Sequence, residues 1–192
     1  MFKNSDTFHK KSFKLLTLQK VVVKDKEFED CLFAKCVFID GSFKSCKFID
    51  CTFENCTISA CKLTDTTFLN TKYKESKIMG VDWTQTAKLS GIEFTECTLE
   101  YCNFKLMKLA ETRFDNSKIK DVDFTETDLS KASFSHSDLT DSKFFKTNLE
   151  KASFIKATNY SINAEHNKIS KAKFSLPEAL TLLYSLNIKI EQ

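Results

Sequence analysis

From Phe28 to Trp83 every fifth residue is large and apolar: Phe28, Phe33, Phe38, Phe43, Phe48, Phe53, Ile58, Leu63, Phe68, Tyr73, Ile78 and Trp83. Two positions before most of them stands a small residue: Cys31, Cys36, Gly41, Cys46, Cys51, Cys56, Cys61, Thr66, Thr71 and Ser76. A period of five fits neither the helix nor the flat strand. It requires a backbone that turns a corner once per repeat. Four corners close a square coil of about 20 residues, and such coils stack as a parallel β-helix. The large residue and the small one before it then point at the axis, and the other three positions face water. Ser, Thr, Asn and Asp supply the turns. The predicted class is all-β.

After Trp83 the period continues one residue out of phase: Leu89, Phe94, Leu99, Phe104, Leu109, Phe114, Ile119, Phe124, Leu129, Phe134, Leu139, Phe144, Leu149 and Phe154. One residue is therefore inserted within 84–88, which predicts a bulge or kink between two subdomains, 28–83 and 89–157. In the second run Leu or Ile alternates with Phe, so Phe falls on two opposite faces. Together the runs amount to about six and a half coils, a rod of about 31 Å at the usual strand spacing.

The ends break the pattern. Residues 1–27 keep the large position faintly at Phe8, Phe13, Leu18 and Val23, but the small one holds Asp6, Lys11, Leu16 and Val21. Seven lysines there face Asp6, Asp25 and Glu27. We read a degenerate coil that caps the open end; a basic arm for nucleic acid is the alternative. In 158–192 the period fails at Asn159, so 159–168 reads as a loop, with a stray repeat at Ala172 and Phe174. Ser175 to Glu178 reads as a capping box opening a short helix. Leu176, Leu180, Leu182, Leu183 and Leu186, with a short strand at Ile188 and Ile190, form the candidate cap or dimer face.

The chain has 192 residues, enough for one domain, and a net charge of +3, which argues for no partner. All eight cysteines fall at the small inward position. That is a packing pattern of free thiols and favours a reducing compartment. Cys46, Cys51, Cys56 and Cys61 lie on four faces of one coil, and converging thiols are zinc chemistry. The same residue serves as filler at Cys31, Cys36, Cys97 and Cys102, so no metal site is expected. Disulfides between Cys31 and Cys51, or Cys36 and Cys56, are sterically thinkable. His9, His136 and His166 pair with no nucleophile, and no glycine-rich phosphate loop exists, so no enzyme and no cofactor are expected. No apolar run suffices for a secretion signal or a membrane span, which makes the expected location cytoplasmic. Carboxylates gather at Asp121, Asp123, Glu126, Asp128, Asp138 and Asp141, and Asp121 should stack on Asp141.

The five-residue period across residues 28–157 resembles the pentapeptide-repeat family. That resemblance implies a right-handed quadrilateral β-helix. The segments Asp128 to Phe134, Ile162 to Ile169 and Pro177 to Ala179 are similar to the microcin-immunity type within that family. Members of this type and of the quinolone-resistance type bind bacterial type II topoisomerases, DNA gyrase and topoisomerase IV. The resemblance implies a homodimer through the C-terminal helix and mimicry of DNA, with protection from quinolone or toxin. The six carboxylates named above would then be the partner contacts. A rigid protein-interaction scaffold without a topoisomerase role is the alternative; a continuous negative stripe would favour the first reading and an evenly mixed surface the second.

Overall fold

The computed structural model describes Phe2 and residues 5–186. The chain winds as a parallel β-solenoid of about eight turns. Strands of one coil pair in parallel with those 20 residues on, as in Thr7 with Glu27 and Thr52 with Lys72. Four faces result. Face one carries Phe8, Phe28, Phe48, Phe68 and Leu89, and face two Phe13, Phe33, Phe53, Tyr73 and Phe94. Face three carries Leu18, Phe38, Ile58, Ile78, Leu99 and Ile119. Face four begins at Val23 and Phe43.

The large residues fill the axis. Phe28, Phe33, Phe38, Phe43, Phe48, Phe53, Phe94, Phe104, Phe114, Phe124, Phe134, Phe144 and Phe154 are all buried. On face two the rings of Phe94, Phe114, Phe134, Phe154 and Phe174 stack at 5.0–5.3 Å. On face four Trp83, Phe104, Phe124 and Phe144 stack at 5.3–5.6 Å. The two columns meet edge to face, as Phe114 meets Phe124 at 5.6 Å and 79°.

The small inward residue does more than fill space. Its thiol or hydroxyl donates to the carbonyl of the central residue one coil earlier. Cys51 Sγ reaches Phe28 O at 3.3 Å, Cys56 Sγ reaches Phe33 O at 3.2 Å, and Thr127 Oγ1 reaches Phe104 O at 2.8 Å. This explains why Cys, Thr and Ser dominate there.

The corners require a conformation the composition hides. The residue two after nearly every central position adopts the left-handed region, from φ 46° at Glu75 to φ 64° at Glu111. Lys10, Leu15, Ala60, Tyr101, Leu106 and His136 all do so, and only Gly80 and Gly91 are glycines with positive φ. Each such residue costs about 1–2 kcal/mol. The next coil fixes it by accepting its N–H: Lys10 to Glu29 O and Asp30 to Ile49 O, both 3.0 Å. The two glycines differ. A Cβ on Gly80 meets nothing within 4 Å, whereas one on Gly91 would sit on the Asn70 side-chain oxygen and 3.2 Å from its Cα. Gly80→Ala should therefore cost only about 1–2 kcal/mol, the left-handed term, and Gly91→Ala distinctly more. Thermal melts of the two variants side by side measure the difference.

The inserted residue is absorbed at one corner. Trp83–Gln85 form a 3-10 turn whose start is capped by Asp82, which accepts from Thr84 N. The pairing offset changes to 21, as in Thr67 with Lys88 and Lys72 with Glu93. On face two the ring column runs on across the insertion, where Tyr73 stacks on Phe94 at 5.1 Å. On face one, however, the ladder opens. The strand Lys88–Ser90 pairs with Thr67–Leu69 below it, and among the described residues no backbone hydrogen bond joins 87–91 to 107–111 above.

The two ends differ from the regular coils between them. The first coil has degenerate side chains but regular strands from Thr7–His9 to Val22–Lys24. The end is plugged by Phe2, which lies edge-on to Phe8, Phe13 and Phe28 at 5.2–5.6 Å. Residues 159–168 are not a free loop. Ile162 bridges to Phe144, and Lys168 to Asn148. Buried Asn167 takes the small inward position, donating to Phe144 O and accepting from Thr147 N. The capping box does not form: Pro177 precedes the turn with no side-chain cap, and the Ser175 hydroxyl accepts from Lys156 N instead. The helix is one turn, Thr181–Tyr184, after a 3-10 turn at Glu178–Leu180.

Candidate partner-binding surface

With the axis filled, any partner meets the outward positions. Their charges pair along the rod between neighbouring coils. Lys47 reaches Glu27 at 3.0 Å, Lys131 reaches Glu111 at 2.7 Å and Lys118 reaches Glu100 at 3.5 Å, while Lys26 pairs with Asp6. The hydrogen bond and charge of Lys131 hold the Glu111 carboxyl below its usual range.

The six predicted acidic contacts are not brought onto one face. Asp121 and Asp141 stack at the corner between faces three and four, where Asp121 N–H donates to Thr140 O at 3.1 Å. Glu126 sits at the corner between faces four and one. Asp123 lies on face four, Asp128 on face one and Asp138 on face three. Three of them hold the backbone. Asp123, Asp128 and Asp138 accept through Oδ1 from the N–H two residues on, at Thr125, Ser130 and Thr140, at 2.8–3.1 Å. Burial works to raise the Asp138 pKa, but hydrogen bonds from Thr140 and Asn159 and the charge of Lys118 outweigh it, so its carboxyl is held low. Glu126 and Asp141 are the exposed members.

Sequence reasoning missed one cluster. Asp115, only 7% exposed on an outward position of face two, receives Arg113 Nε at 3.0 Å and Nη2 at 2.9 Å. Its other oxygen accepts from the Ser133 hydroxyl and from Ser135 N–H. Ser135 continues the chain to Ser153 at 3.1 Å. The 20-residue spacing of Arg113, Ser133 and Ser153, with Asp115 and Ser135 beside them, was the available signal. Every member satisfies another, so the cluster staples three successive coils rather than presenting free groups.

The cysteines point at backbone walls rather than at each other. Cys46, Cys51, Cys56 and Cys61 donate to Val23, Phe28, Phe33 and Phe38 carbonyls at 3.2–3.5 Å, and all eight thiols are free. Burial pushes Cys51 and Cys56 up to about 12 and Cys97 and Cys102 up to about 11. These are poor conditions for thiolate ligands. The histidines lie apart: His9 against Glu29 at 3.3 Å, His136 at an exposed corner, and His166 edge-on to Phe145.

At the C-terminal end Leu176 is 75% exposed, and Leu180, Leu183 and Leu186 are exposed as well. Leu182 packs against the core. Ile188, Ile190 and the strand expected there lie outside the described residues. Among the described residues no helix is long and apolar enough to cross a membrane.

The family description "Pentapeptide repeat region" matches residues 26–104 and 85–154. No curated protein matches the sequence. Two trypsin-treated forms of QnrB1, a plasmid-mediated fluoroquinolone resistance protein, share the fold. One overlays with a TM-score of 0.63 at 14% identity, covering 97% of this chain and 99% of that one. The other gives 0.56 at 15% identity, covering 97% and 100%. From the five-residue period, the four-faced coil and this match over most of its length, the chain belongs to the pentapeptide-repeat family.

Proposed function

We propose that the protein is a non-catalytic rod that binds a protein partner along its outer surface. The observation that carries this reading is the division of labour in each repeat. The inward positions are consumed by stacked rings and carbonyl-bound thiols and hydroxyls, so only a rigid, mixed-charge exterior is left for a partner. The dispersal of the acidic residues over three faces and two corners favours a scaffold over a uniform DNA mimic.

A more specific reading names a type II topoisomerase, DNA gyrase or topoisomerase IV, as the partner. It is favoured by the overlay with QnrB1 along nearly the whole chain. In that reading Asp121, Glu126 and Asp141 are the contacts, since Asp123, Asp128 and Asp138 are engaged in capping. The exposed leucines Leu176, Leu180, Leu183 and Leu186 would join two copies into a two-fold rod.

Gyrase supercoiling with and without ciprofloxacin, beside a gyrase pull-down, separates these readings. Protection from the drug, lost on charge reversal of Asp121, Glu126 and Asp141 to lysine, supports the topoisomerase. Loss of affinity should be about tenfold or more, as expected for contact charges. Folded protein with neither binding nor effect removes the topoisomerase and leaves the scaffold.

A further inference from the structure

Beside the insertion the regular ladder opens, between Leu63 and Asp82 on face four and again on face one, and the face-one gap is also concave and basic. In the regular coils a central residue donates its N–H to the next coil, as Leu109 N–H does to Asp128 O at 2.7 Å and Phe114 N–H to Ser133 O at 2.7 Å. The regular pattern would carry Leu89 N–H to Lys108 O and Lys108 N–H to Ala87 O. Among the described residues neither bond exists. The extra residue within 84–88 displaces the corner here, and Lys88 and Lys108 fall at equivalent positions of successive coils.

The gap leaves a groove of about 560 Å³ beside it. Its apolar wall includes Ala87, Leu106 and Met107. Ala87 stands at the small inward position yet is exposed, and Met107, at the same position one coil on, is half-buried. Leu106 is 65% exposed. Lys88, Lys105 and Lys108 rim the groove, and no carboxylate lines it. Among the described residues none of these lysines has a carboxylate oxygen within 4.0 Å, which they share with most lysines of the rod; what sets them apart is that three of them surround one apolar groove. The hollow on the far side of the gap carries Glu93 and Glu111, which are paired with Lys72 and Lys131.

We propose that this groove is a docking site for an extended acidic peptide segment that bears a large apolar side chain. The unpaired lysines supply charge complementarity, Met107 and Leu106 receive the apolar side chain, and the open backbone edge offers main-chain hydrogen bonds. Nucleic acid fits less well, because an apolar floor at the centre of the lysines gives a phosphate nothing. The site does not depend on a topoisomerase as partner.

The probe is a fluorescein-labelled peptide alternating glutamate with leucine and phenylalanine, compared with a lysine-substituted counterpart and a short DNA duplex. The readouts are anisotropy at low and physiological salt, and the methyl resonances of methionine in protein labelled at that methyl. Met107 lies in the groove and Met79 on face three, so the two report separately. The acidic peptide should bind in preference to both others and shift Met107 but not Met79. The triple variant Lys88→Glu, Lys105→Glu, Lys108→Glu should weaken binding about tenfold or more. Ala87→Trp should block binding with the charges intact. Equal binding by the triple variant, an unmoved Met107, or a stronger Met107 response to the duplex would overturn the proposal.

Discussion

Replacing Phe124 with alanine should lower the stability of the rod by about 3–5 kcal/mol. The ring is fully buried and touches four others. It stacks on Phe104 at 5.6 Å and Phe144 at 5.3 Å, and meets Phe114 and Phe134 edge to face at 5.6 and 5.8 Å. Cavities cost least where walls can collapse. Here they cannot, because each coil is tied to the next: Phe124 N–H donates to Lys143 O, and Asp123 N–H to Cys102 O, both at 3.0 Å. The position is also central, and in a solenoid stability is a chain of nearest-neighbour interfaces. The same change at half-buried Phe8 should cost clearly less. Urea denaturation decides the matter: the midpoint should fall for Phe124→Ala with the slope unchanged. A loss below about 1 kcal/mol would mean that the core is more yielding than these stacked columns imply.

The inward half of this architecture was legible in the sequence because it is local. A period of five with one large and one small member leaves a single way to face the axis, and Phe28 to Phe154 follow it. The inserted residue was visible as a phase change, but its consequence was not. Whether a corner kinks the rod or opens its ladders depends on how the coil 20 residues away meets it, which no local stretch shows. The corners were hidden for another reason. Left-handed backbone normally announces itself through Gly or Asn, but here the ladder imposes it on Lys, Leu, Tyr and His alike.

The acidic surface was misjudged by the same geometry. Residues 20 apart share a position, so Asp121 and Asp141 do meet. Residues five apart turn a corner, so Asp123 and Asp128 occupy adjacent faces. Proximity in sequence is here nearly the opposite of proximity in space. The segment 159–168 failed to show its period because the bridge from Phe144 to Ile162 is two residues short, and the later bridge from Asn148 to Lys168 restores the spacing. At Ser175 the local capping signal lost to a tertiary partner, Lys156.

Raising the pH should unfold the protein between about pH 9 and 12, with thiols as a leading cause. Burial raises Cys51 and Cys56 from 9.0 to about 12 and Cys97 and Cys102 to about 11, and Cys46 and Cys61 move the same way. Below the unfolded value near 9.0 these groups are protonated in both states, and their full contribution is present. Above it the unfolded chain releases protons that the folded chain retains, so stability falls with each further unit of pH. The decline ends only where the folded thiols themselves ionise. A displacement from 9.0 to about 12 is worth on the order of 4 kcal/mol for one thiol, and several together exceed the whole stability of an ordinary domain. Alkali acts on more than the thiols, so the thiol contribution needs its own control. Cys51→Ser with Cys56→Ser keeps a donor for the Phe28 and Phe33 carbonyls but removes the titration. Measured by circular dichroism and urea midpoints across the alkaline range, this double variant should lose stability less steeply by about 3 kcal/mol per pH unit above pH 9. An unchanged slope would mean that the thiolates are accommodated in the folded coil, which the carbonyl oxygens aimed at both sulfurs argue against.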